Sequence, residues 1–141
     1  MKKQGLLGDQ RFILISRLML VFSILVALSR VLLAKNSQMI TVINDAATVF
    51  CALVATVFFT AVWLSTSSKD ISKKIWGLIV ISLIAWSIAE GTWAYYEAIL
   101  EQEVPYPGPA DLFWLFGYFI MYVALVNQYR LFQTSQADSR K

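Results

Sequence analysis

Long apolar runs separated by short polar stretches dominate the chain, and their lengths match bilayer spans better than core helices. The first run covers about residues 12–34, with Arg17 near its start and Arg30 near its end. The second covers 39–64 and carries one formal charge, Asp45, close to its beginning. The third, 75–100, holds Glu90 and Glu97 together with Trp76, Trp86, Trp93, Tyr95 and Tyr96. The fourth, 111–132, is free of charge from Leu112 to Tyr129. A helix rising about 1.5 Å per residue needs about 20 apolar residues to cross a hydrocarbon core, so each run predicts one span. The pattern predicts an all-α integral membrane four-helix bundle.

The first run follows Lys2 and Lys3, as a signal peptide would. It is longer than the roughly 7–15 residues of a signal-peptide core, and it carries two arginines. A retained helix whose arginines snorkel toward the headgroups is the better reading. The connections are short: 35–38, the stretch STSSKDISKK over 65–74, and EQEVPYPGPA over 101–110. Pro105, Pro107 and Pro109 alternate in the last, which predicts a stiff extended turn.

Composition agrees, since 58% of residues are hydrophobic and 15% charged, against roughly 45–50% and about 25% in soluble domains. Charge placement adds orientation through the positive-inside rule. Lys2, Lys3, Arg11, Arg17, Lys69, Lys73, Lys74, Arg130, Arg140 and Lys141 fall on one side of a four-span arrangement, and only Arg30 and Lys35 on the other. Both termini are therefore expected in the cytoplasm, with residues 1–11 as a cytoplasmic N-terminus and 133–141 as a cytoplasmic tail. The basic residues are dispersed and form no single face, which argues against nucleic acid as a partner.

Several chemistries are excluded by residue type. The 141 residues include no histidine, which removes the usual haem and transition-metal ligand and the histidine-dependent catalytic arrangements. Cys51 is the only cysteine, so no intramolecular disulfide forms. Neither GxSxG nor a phosphate-binding loop occurs. No enzymatic activity and no cofactor are expected.

The intramembrane charges are the candidate chemistry. With the termini inside, Arg30, Asp45, Glu90, Glu97 and Asp111 all fall in the outer half. A lipid-facing charge costs about 2.5–3.5 kcal/mol on insertion scales, so these groups should face one another or a wet cavity. Residues seven apart share a helix face to within about 20°. Trp86, Glu90, Trp93 and Glu97 thus form one stripe, and Thr41, Asp45, Thr48, Ala52 and Thr56 another. Two readings stay open. Arg30 pairs with Glu90 or Asp45 and pins helix register, with Glu97 and Asp111 wet at the headgroups. Alternatively Arg30, Asp45, Glu90, Trp93, Glu97 and Asp111 line an outward pocket for a proton, a cation or a small amphipathic ligand. The neighbouring aromatic residues mostly suit an interfacial belt, and they also suit a flat ring such as a quinone or pigment.

From Ala89 the chain reads AEGTWAYYEAILEQEVPYPGPADLFWLFGYFIMYVALVNQYRLF. This stretch resembles the membrane-embedded N-terminal regions of prokaryotic signalling proteins, notably some diguanylate cyclases and sensor histidine kinases. The resemblance rests on Pro105, Pro107, Pro109, Ala110, Asp111, Phe113, Trp114, Gly117 and Tyr118. It implies a sensory or transducing module in the plasma (inner) membrane of a prokaryote. In such proteins the last helix continues into an output domain, whereas here a short polar stretch, QTSQADSRK, follows Phe132. The expected partners besides the lipid bilayer are therefore other membrane subunits or a cytoplasmic output protein. A small oligomeric ion channel or transporter, or a quinone- or pigment-binding subunit, is the alternative.

Overall fold

A computed structural model describes residues 2–138, with side chains for residues 13–133. Met1 and residues 139–141 lie outside the described residues, as do the side chains of Lys2, Lys3 and Arg11. The described chain is helical with no strand: α1 (Lys2–Leu32), α2 (Ser37–Ser65), α3 (Ser72–Ala94), which continues as a π-helical segment (Tyr95–Ile99), and α4 (Pro109–Asp138). All four helices are long and apolar enough to cross a membrane, over Ile13–Leu32, Ser37–Ser65, Ser72–Ile99 and Pro109–Gln133. A helix covers each of the four apolar runs. Helix α1 starts ten residues before the expected 12. Helix α4 runs past 132, so helix covers residues 133–138 of the segment read as a polar tail.

The residues that stop and start the helices have local causes. Asn36 caps α2, its Oδ1 accepting the Met39 N–H at 3.1 Å, as a good N-cap side chain does. Pro109 opens α4, where its missing N–H costs nothing. Asp111, two residues on, accepts the Gly108 N–H at 2.7 Å and so closes one half of a capping box. The Pro-rich loop contains a cis Tyr106–Pro107 bond, and Glu101 adopts a positive φ of 53°. That left-handed residue directly follows Leu100, so it reverses the chain where the third span ends.

Close packing divides the chain into two compact units, Met1–Asn44 and Asp45–Lys141. In the first, Arg30 Nε donates to Asn44 Oδ1 at 3.0 Å, tying the last turn of α1 to the first turns of α2. The Ser23 and Ser29 hydroxyls return to carbonyls of their own helix, so neither hydroxyl is left unsatisfied on this apolar helix.

In the second unit α3 lies against α4 through small residues. Ser82, Ala85 and Ala89 of α3 are buried, as are Ala110, Gly117 and Ala124 of α4. Ser82 Oγ donates to the Gly117 carbonyl at 2.8 Å. A Cβ at Gly117 would stand 2.5 Å from Trp86 Cδ1, so the approach needs glycine. Helices attract in lipid chiefly by such close contact, because tails and side chains are equally apolar. Helix α2 joins α3 through Thr56 Oγ1 and Ser87 Oγ, 3.0 Å apart, and through Phe59 against Trp76, with ring centroids 5.9 Å apart.

Candidate functional site

The stripe of Trp86, Glu90 and Trp93 on α3 faces α4. Trp114 Nε1 of α4 donates to Glu90 Oε1 at 3.1 Å. The same indole packs on Trp93, with centroids 5.3 Å apart and planes inclined 42°. One turn away Trp86 meets Tyr118 edge-on at 5.3 Å. The donor to Glu90 is thus held in place by stacking on Trp93. A carboxylate on an apolar helix needs such a donor, because a polar acceptor removed from water without a partner is costly.

Asp45 brings α2 into the same site. Its carboxylate lies within the electric fields of Glu97 and Glu90. Its Oδ2 is buried and has no hydrogen-bond partner. Glu97 comes from the π-helical segment, where the backbone bonds i→i+5 and each residue turns through a smaller angle than in an α-helix. Extrapolating the α-helical stripe from Glu90 to Glu97 therefore overstates their alignment. Among the described residues, no three Asp, Glu or Cys side chains are grouped so as to hold a metal ion.

Of the six residues singled out in the sequence, four come together: Asp45, Glu90, Trp93 and Glu97. Asp111 does not contribute a ligand atom of this kind, because its carboxylate serves the start of α4. Arg30 belongs to the Met1–Asn44 unit and bonds Asn44. Glu90 is served by the Trp114 indole.

Trp114 is the residue that sequence reasoning left in the interfacial belt. Its signal was present in the spacing of Ala110, Trp114, Gly117 and Ala124, steps of four, three and seven that define one helix face. Placing Trp114 with the small residues would have turned it toward α3. No protein-family model, curated protein or solved structure matches this chain.

Proposed function

We propose that this chain is a non-catalytic multi-pass protein of a prokaryotic inner membrane, with both termini cytoplasmic. In this reading it works as a sensory or transducing module or as an accessory subunit of a larger membrane complex. The observation that carries the reading is the Trp114–Glu90 bond of 3.1 Å beside the unpartnered Oδ2 of Asp45. Asp45 of α2 stands within reach of the Glu97 and Glu90 charges, and an indole from α4 is bonded to Glu90. Uptake of a proton or organic cation relieves repulsion between α2 and α3, and the Trp114 bond conveys that change to α4. Acids in this position mark functional sites by default.

The wide apolar exterior supports a role among lipids or partner helices. Leu112, Leu115, Phe119 and Tyr122 of α4 are all exposed by more than half. The resemblance to signalling membrane regions supports the transducing version.

The test is a pH titration of tryptophan fluorescence on the protein in nanodiscs, with protons as the probe. Wild type is expected to show a transition that Asp45→Asn abolishes and loss of the Trp114 acceptor in Glu90→Gln alters, with helix content by circular dichroism unchanged. A profile identical in all three overturns the site. Proton flux through proteoliposomes, lost in Glu90→Gln, would instead support the channel reading.

A further inference from the structure

The opposite end of the second unit carries a different feature. A groove of about 750 Å3 lies where the end of α2, the start of α3 and the end of α4 converge. Its volume is within the roughly 300–1,000 Å3 of ligand pockets. Lys73, Lys74 and Arg130 are among the residues that line it. Its floor is apolar, formed by Ile75, Leu78 and Ile81 of α3 and by Leu131 of α4.

Each part of this lining has a stated role. Lys73 Nζ donates to the Thr66 carbonyl at 2.9 Å, just past the end of α2, and lies 6.0 Å from the centroid of Trp63. It therefore stabilises the wall of the groove, meeting a carbonyl at the negative end of a helix dipole. Gly77 lets that wall close, since a Cβ there would stand 3.2 Å from Trp63 Nε1. Lys74 and Arg130 are exposed and come from different helices. Both line the groove.

From Lys74 to Ile81 the floor extends seven residues along α3, or about 10 Å at 1.5 Å per residue, most of the half-thickness of a hydrocarbon core. A phosphate would contact the cations, and an acyl chain would continue along Leu78 and Ile81. Resting on the membrane insertion proposed above, though not on its orientation, we propose that this groove binds one anionic glycerophospholipid. Basic pockets between transmembrane helices take anionic headgroups by this chemistry. The charge and the apolar floor together select such a lipid over a zwitterionic one and over a free anion.

Native mass spectrometry of the full, delipidated chain tests this with four probes: phosphatidylglycerol, phosphatidylcholine, glycerol phosphate and inorganic phosphate. One phosphatidylglycerol is expected to be retained preferentially. The double variant Lys74→Gln/Arg130→Gln should bind it about thirtyfold more weakly, the equivalent of about 2 kcal/mol at near 1 kcal/mol per interfacial cation. Lys74→Arg/Arg130→Lys should retain it. Equal retention of the two lipids overturns the proposal, as does unchanged binding in the Gln variant. Displacement of the lipid by inorganic phosphate or glycerol phosphate at equal concentration would show a simple anion site and also overturns it. Carbonate extraction of membranes containing each variant separates the outcomes. Chains that insert but show no lipid preference defeat only this proposal, whereas chains that wash out defeat the membrane reading itself.

Discussion

The two ends of the Asp45–Lys141 unit solve opposite electrostatic problems by different means. At the end near the Pro-rich loop, Glu90 lies within the third helix apolar enough to cross a membrane and is met by a neighbour, the Trp114 indole at 3.1 Å. At the end near the 65–74 loop, the charges are cationic and line an open groove, with Lys73 bonded to a carbonyl just beyond a helix. Lysine and arginine have long stems that reach water from a span end, while a glutamate has a short one. Acids within a span therefore call for protein partners, and bases at its margin leave room for a ligand. This difference is why the acidic end is a candidate switch and the basic end a candidate lipid seat.

The sharpest way to break the comparison is to ask which end faces the cytoplasm. The positive-inside reading places the lysine loop inside and the Pro-rich loop outside. An alkaline phosphatase and a fluorescent protein fused in turn after Lys69 and after Gly108 should give all-or-none opposite signals. Phosphatase activity at the lysine loop would reverse the assignment of ends and cancel the cytoplasmic placement of both termini. A smaller but still large effect is expected at the contact that joins the two ends. Gly117→Leu would drive a side chain into Trp86 and the Ser82 carbonyl, whose oxygen is 3.3 Å from the Cβ position. Overpacking of this kind costs about 1–3 kcal/mol. Reduced thermal stability in detergent, with Gly117→Ala intermediate, is the expected result. A stable Gly117→Leu protein would mean that α3 and α4 are not held by this contact.

The spans were legible because hydropathy over about 20 residues reports the solvent, and lipid is a simple solvent to recognise. Their pairing was less legible for the same reason. A helix in lipid is apolar on every side, so no amphipathic stripe marks the face that packs. What marks it is size, and Ser82, Ala85 and Ala89 opposite Gly117 and Ala124 follow that rule. Trp86, Glu90 and Trp93 of the seven-residue stripe all meet residues of α4, since that part of α3 is regular. It could not anticipate the π-helical turn at Tyr95–Ile99, where no proline or glycine occurs to announce a change of pitch. Nor could it anticipate the basic groove, which draws Trp63, Lys74 and Arg130 from three separate parts of the sequence.

The smallest effect concerns the two aspartates at the helix starts, Asp70 before α3 and Asp111 in the first turn of α4. Asp111 accepts the Gly108 N–H and is only partly exposed. Asp70 lies outside the spans, fully exposed, with its Oδ1 accepting the Ser72 N–H at 2.8 Å. Hydrogen bonds from the Ser72 hydroxyl, and then from its backbone N–H, hold the Asp70 carboxyl below its ordinary value of 3.8. A carboxyl group with a depressed folded-state value contributes stability above its unfolded value and loses it as pH falls through the folded one. The first turn of α3 should therefore keep its full amide protection at neutral pH and through mildly acidic conditions, and fray only below about pH 4. Hydrogen exchange of the Ser72 and Lys73 amides across that range measures it, with Asp70→Ala as the variant in which the pH dependence disappears. The effect is local and modest, because both bonds sit in water. Loss of protection starting well above pH 5, or a pH dependence that survives Asp70→Ala, would show that another group governs the start of α3.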